Sequence, residues 1–403
     1  MSNNDDARAL LGPLAGEPVG AQRLDLTEII RAGDRRRRTR TWGTTALAVV
    51  AVAAVGAGTA VSVRNTAHPS GVPMSSPSFP SPGAPSPGAS APAPSRSPAP
   101  VGAECRSAFL PGPTTMVYAV DHTGRYVLEE QKSSGGKVKA VVWRSGAKVS
   151  EVTLPTFTDA SYALNGKGEF VVTITSASGR TTPYVYADGS LTALKGGNGV
   201  AVAITDNGRI AGSQQPGSAV VWQRPDAEPT KLALPDGYYA GGADGMDESG
   251  TVIGYLQGGG STKAALWLPD GSVRELPAPA GRDERSLTGI ANGWAVGSDT
   301  VPGQGFVTGF RYNVVTGKSE ELPAQFGAPQ VAGGEGSMIG LYDDAKTYVY
   351  VNGVARPLGR APVDGLLGVL GISDDGRTVT GSIYIFTQKG DRNSGRAVTW
   401  TCD

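Results

Sequence analysis

Short runs of alternating apolar and polar residues, each closed by turn residues, recur through the last three quarters of this 403-residue chain. The clearest set, AITDNGRIAGSQQPGSAVVWQRPDAEPTKLALPDG, extends from Ala203 to Gly237. Period-two alternation buries one face of each run, so four runs separated by Gly, Asn, Asp and Pro predict one small antiparallel sheet. The set returns seven times. Its starts are AVDHTGRYVLEE, ALNGKGEFVVTI, AITDNGRIAGS, GMDESGTVIGY, GIANGWAVGS, AGGEGSMIGL and GISDDGRTVTGS.

Each third run centres on an aromatic residue: Trp143, Tyr186, Trp222, Trp267, Tyr312, Tyr350 and Trp400, at spacings of 43, 36, 45, 45, 38 and 50. Four strands repeated at this period predict an all-β, seven-bladed β-propeller over residues 105–403. The aromatic residues are expected to pack blade on blade. Gly208, Gly250, Gly293 and Gly336 fit turns with positive φ. Gly212, Gly254, Gly297 and Gly340, four residues on, fit close backbone approach. The second and sixth units lack Trp and are the shortest, which leaves six or eight blades as alternatives.

The seventh unit stops after its third run, at Cys402 and Asp403, while CRSAFLPG precedes the first unit without a blade of its own. If residues 105–110 supply the missing strand, the two ends of the ring pair and Cys105 lies beside Cys402. These are the only two cysteines. In an exported chain they can join; in a cytosolic one they are free thiols.

Ahead of the repeats the pattern changes three times. Residues 1–41 carry a weak amphipathic pattern broken by Pro13, Pro18 and Gly33, then Arg35, Arg36, Arg37, Arg38 and Arg40. They read as a mostly disordered tail. Residues 42–63 are uncharged and apolar, long enough at ~1.5 Å per helical residue to cross a ~30 Å hydrocarbon core. The arginines before this run place the N-terminus in the cytoplasm and the rest outside, as an uncleaved signal-anchor. A cleaved signal peptide is the competing reading, with Gly58, Thr59 and Ala60 at the cleavage site. Residues 64–104, which hold 11 of the 29 prolines, form a Pro/Ser-rich extracellular linker. At ~3.1 Å per residue it reaches up to ~120 Å.

Charge and composition narrow the chemistry. From residue 103 onward 26 Lys and Arg face 30 Asp and Glu, which argues against nucleic acid as a partner. The only histidines are His68 and His122, too few for a multi-histidine metal site. Asp121, Asp206, Asp247 and Asp374 lie in turns, where capping the turn is favoured over binding calcium. No Walker loop, nucleophile elbow or HExxH helix is present. No metal, cofactor or catalytic residue is expected.

The I-x-x-x-G-x-V-x-G start, A-x-x-W third strand and L-x-x-P ending resemble the HAF-type repeat of bacterial extracellular proteins, and more loosely kelch-like and WD40-like propellers. The resemblance covers residues 105–403. It implies the fold and an exported location, but no single activity. Residues 1–64, with a short leader, an Arg run and one span, are similar in architecture to bacterial anti-sigma-type membrane regulators, without a zinc-binding His/Cys motif.

The loops that share one propeller face include PTFTDAS, PDGYYAGG, PAPAGRDERS, PAQFGAP and YDDAK. They offer Phe157, Asp159, Tyr238, Tyr239, Arg282, Asp283, Arg285, Phe326, Asp343 and Asp344 as candidate binding residues. The expected function is a membrane-anchored, non-catalytic binding module for an extracellular protein or glycan. The alternatives are a transmembrane sensor relaying binding to residues 1–41, and a cell-surface hydrolase.

Overall fold

The computed structural model describes residues 99–403, apart from 110–115, 133–135, 301–306, 324–325, 327, 342–346, 360–365 and 387–391. The tail, the span and nearly all of the linker expected above lie outside the described residues. Among the described residues no helix is long and apolar enough to cross a membrane.

The described residues form seven four-stranded antiparallel sheets. Six take their strands in chain order, over residues 116–153, 159–193, 199–231, 238–276, 284–321 and 329–357. The seventh has three strands between residues 366 and 401 and takes its outer strand from the other end of the described chain. That strand, Arg106–Phe109, pairs with Arg392–Thr401 from Arg106 opposite Thr401 to Phe109 opposite Val398. First strands of neighbouring blades touch all round the ring, including blade 7 against blade 1, so they line the channel. The structure is a seven-bladed all-β propeller closed by its N-terminal strand, and Cys105 is joined to Cys402 with a Cα–Cα distance of 4.4 Å.

The apolar alternation explains where the core sits. Each strand turns one row of side chains toward each neighbouring blade, so burial is divided among the seams between blades. Leu128, Val142 and Phe170 fill the seam between blades 1 and 2. Val171 and Trp222 fill the next, Leu256 and Trp267 the third, and Leu266 and Phe310 the fourth. Met338 with Phe326, and Val398 with Trp400, fill the following two. The closing seam holds Val117, Val127 and Ala397.

Tryptophan adds a polar latch to this packing. Trp222, Trp267 and Trp400 are fully buried. Their indole N–H groups donate to Lys195 O at 2.9 Å, Ala233 O at 2.7 Å and Gly359 O at 2.9 Å. Each acceptor lies just past the outer strand of the preceding blade, so one side chain fills the seam and holds the crossover. Trp143 differs. It is half-buried and donates within its own blade to Glu129 at 2.5 Å.

Glu129 is almost fully buried, with Gln131 Nε2 as its second donor. Burial pushes its carboxyl above the usual carboxylate range, against the pull of these two hydrogen bonds. A native value above the unfolded one means that folding favours the protonated form. Its stabilising contribution is therefore full below the ordinary carboxylate value and fades as pH rises through the native one. Glu129→Gln, which keeps an acceptor for Trp143, is expected to flatten this slope in urea titrations run from pH 4 to 7.

The repeated glycine of the second strand and the residue after it have two uses. A Cβ at Gly254 would overlap the Gly242 carbonyl oxygen, so the close approach expected there is real. In other repeats the residue after this glycine hooks the next blade. Ser213 Oγ accepts from Ala243 N at 3.0 Å, and Ser382 Oγ accepts from Val117 N at 2.9 Å across the closing seam.

Residues 99–105 continue the closure. Val101 and Cys105 form parallel bridges to Ala355 and Leu358 at the outer edge of blade 6. Gly102 N donates to Ala355 O at 2.8 Å, and Gly359 N to Cys105 O at 3.0 Å. The end of the predicted linker thus covers an edge strand whose backbone groups would otherwise face solvent.

Candidate functional site

A similar turn between first and second strands recurs in five of the blades, and one position of it lies at the channel end. In the AVDHTG, ALNGKG, AITDNG, GMDESG and GISDDG turns this position is His122, Gly166, Asp206, Glu248 and Asp374. The first residue of the turn holds its shape. Asp121 accepts from the backbone N–H of Thr123 and Tyr126, and Asp247 from that of Thr251. The expected turn-capping role therefore holds for Asp121 and Asp247. Asp206 and Asp374 instead converge on His122.

His122 Nδ1 lies 3.1 Å from Asp374 Oδ2, and Nε2 lies 3.1 Å from Asp206 Oδ2 and 3.9 Å from Glu248 Oε1. Blades 1, 3, 4 and 7 thus meet at one imidazole. Asn292 of blade 5 donates from Nδ2 to Asp374 Oδ2 at 2.9 Å. Asp206 Oδ1 accepts from Gly166 N at 2.6 Å, and Glu248 Oε2 accepts from Asp206 N at 2.9 Å. The His122 side chain is 28% exposed, so solvent reaches the cluster.

The Asp374 hydrogen bond is the largest influence on His122; opposed by burial and aided by Asp206, it carries the imidazole pKa up to about 9. Burial pushes the Glu248 carboxyl above its ordinary value. Chemically the arrangement offers one imidazole and three carboxylates at a partly open channel end, where the carboxylates hold either the imidazolium itself or a cation that displaces its proton.

Neither a family model nor a curated protein matches the sequence. Solved structures do match. An oligogalacturonate lyase from Vibrio parahaemolyticus is 12% identical, with 77% of this chain and 99% of that one covered at a TM-score of 0.50. A virginiamycin B lyase from Staphylococcus aureus is 15% identical over 74% of this chain and 99% of that one, TM-score 0.48. YCF48 bound to a D1 peptide is 13% identical over 76% and 98%, TM-score 0.46. At these identities the likeness shows the fold alone.

Those of the described loop residues singled out by sequence that reach the surface are scattered over the face opposite the His122 turn. Tyr239 is 70% exposed, and Asp159 and Asp283 are exposed. Tyr238 is half-buried and hydrogen-bonds Glu275. Arg282 is largely covered and paired with Glu321 at 3.2 Å. Phe157 packs on the seam between blades 1 and 2.

Two expectations are corrected. Phe326 is 1% exposed and sits edge-on to Tyr348 and Tyr350 in the core. The Arg285 side chain is only 8% exposed, paired in bidentate fashion with Asp299 and stacked on Phe310. Asp343 and Asp344 lie outside the described residues.

Sequence reasoning also missed a group beside Asp159. Tyr162 donates to Glu130 Oε2 at 2.9 Å, and its ring lies 4.8 Å from that of Tyr118. Burial raises both the Glu130 carboxyl and the Tyr162 phenol.

Proposed function

We propose that the chain is a membrane-anchored extracellular propeller that serves as a non-catalytic binding module for a protein or glycan partner. The finer reading of its units as HAF-type repeats belongs to the same proposal. The disulfide between Cys105 and Cys402 carries it. Such a bond persists in oxidising compartments, in keeping with export by the apolar segment 42–63 and with a linker that holds the ring away from the membrane. A covalently closed ring is a rigid platform, and an exposed aromatic such as Tyr239 is the side-chain type that anchors binding surfaces.

The test is a thermal-shift screen of the purified full-length chain against cell-wall glycans. A ligand at ~100 times its dissociation constant adds about 2.7 kcal/mol to stability. Tyr239→Ala is expected to abolish the shift while leaving the ligand-free stability within about 0.5 kcal/mol of wild type. Turnover of a glycan would replace this reading with the hydrolase. Capture of a cytoplasmic protein by residues 1–41, lost when the propeller is deleted, would replace it with the sensor.

A further inference from the structure

We propose that His122, Asp206 and Glu248 form a binding site for a divalent transition-metal ion, with zinc as the best fit. The proposal stands on the cluster geometry and does not depend on the glycan or protein partner.

One ligand atom from each of the three residues lies within 4.8 Å of the other two, and His122 Nε2 stands 3.1 Å from Asp206 Oδ2 and 3.9 Å from Glu248 Oε1. In a tetrahedral site with bonds of about 2.0–2.2 Å, neighbouring ligand atoms are about 3.4 Å apart. The distances from Nε2 of 3.1 and 3.9 Å bracket that edge; zinc entering there displaces to solvent the proton that Nε2 shares with Asp206 Oδ2, and small side-chain rotations complete one triangular face of the polyhedron. The three side chains are 28%, 38% and 31% exposed, so solvent can supply a fourth ligand, as in zinc sites with three protein ligands.

Each donor group also has its second heteroatom held elsewhere. His122 Nδ1 meets Asp374 Oδ2, which Asn292 anchors in turn. Asp206 Oδ1 is held by Gly166 N, and Glu248 Oε2 by Asp206 N. A carboxylate behind the imidazole and hydrogen bonds behind the ligating carboxylates form the outer shell that fixes metal ligands. Turn capping does not require this arrangement, since Asp121 and Asp247 already supply it in blades 1 and 4.

Gly166 is a third observation. Its φ is not in the left-handed region, so the turn does not demand glycine there. A Cβ at this position would stand 2.9 Å from both His122 Nε2 and Asp206 Oδ2. The absence of a side chain in blade 2 keeps the approach to the ligand atoms open. One nitrogen and two carboxylate oxygens suit zinc among the first-row ions, whereas calcium and magnesium favour shells made wholly of oxygen.

The experiment uses the purified full-length chain, stripped with chelator and titrated calorimetrically with zinc, manganese and calcium, with bound metal counted by elemental analysis after dialysis. One zinc per chain is expected, with calcium binding at least tenfold weaker. His122→Ala and Glu248→Gln are each expected to weaken zinc at least tenfold, and Asp374→Asn tenfold to a hundredfold. His68→Ala, which removes the other histidine, is expected to leave zinc binding unchanged. Glu248→Gln keeps an acceptor for Asp206 N, and circular dichroism of the metal-free variants confirms that the fold is retained. Absence of bound zinc, zinc that survives both His122→Ala and Glu248→Gln, or calcium bound as tightly as zinc would each overturn the proposal.

Discussion

Cys105→Ser is expected to lower the stability of the chain by roughly 5 kcal/mol, the chain-entropy value for a loop this long. The bond joins residues 297 apart in sequence, so it constrains nearly the whole ring. On a domain of this size the loss corresponds to a fall in Tm of roughly 10 °C, measurable by scanning calorimetry. Reduction of the wild-type chain with dithiothreitol is expected to reproduce the fall, and reduction of the variant to add nothing. A smaller loss would mean that the paired strand Arg106–Phe109, the Ser382 hook and the blade 6 edge already close the ring without the covalent bond. Those three devices are independent of sulfur chemistry. The comparison therefore measures how closure is divided between them and the disulfide.

The second large effect is expected at Arg285. Its Nε and Nη2 donate to the two oxygens of Asp299 at 2.7 and 2.9 Å, and its guanidinium lies 4.0 Å from the centre of the Phe310 ring. Asp299 is completely buried. Arg285→Ala leaves that carboxylate without its counter-charge in a desolvated site, at a cost of about 3–5 kcal/mol. Arg285→Lys cannot make the two-pronged contact or the flat stack, so it is expected to recover less than half of the loss. Replacing both partners with apolar residues of similar volume is expected to destabilise less than Arg285→Ala alone. A double-mutant cycle in urea checks this, and additive single losses would show that the pair is not coupled.

The ring was legible because each blade repeats one pattern of turns and aromatic residues. Units 2 and 6 lack tryptophan, yet their blades are complete. Tyr186 stacks on Phe170 with ring centres 4.9 Å apart, and Tyr350 meets Phe326 at 5.2 Å, which supplies the same buried aromatic surface by other means. The seam latches were not legible, because an indole fills a core equally well with or without a carbonyl beside its N–H.

Loop assignment failed where strand pairing begins earlier than the charges suggest. RDERS reads as a solvated turn, yet Arg285 already stands opposite Asp299 in the ladder of blade 5. Phe326 lies between prolines in PAQFGAP, a composition that reads as surface, and turns inward to the seam beside Tyr350. The His122 cluster was hidden for a different reason. His122, Asp206, Glu248 and Asp374 are spread over more than 250 residues, and only the curvature of a seven-membered ring brings blades 3 and 4 to face blade 1 across the channel. The trace in the sequence is that the one histidine among the repeats occupies the turn position that carries an acid in three others.

The route by which the chain enters the propeller has a mechanical consequence. Residues 99–105 run along blade 6 before Cys105, and Cys105 is bonded to Cys402 one residue from the C-terminal Asp403. A pull from the N-terminal side first loads the backbone hydrogen bonds to Ala355, Pro357 and Gly359, and then the covalent bond. Both ends of the ring are gripped at that one point, so a pull opposed by a load on any blade divides in two directions around the ring rather than peeling the blades away in sequence.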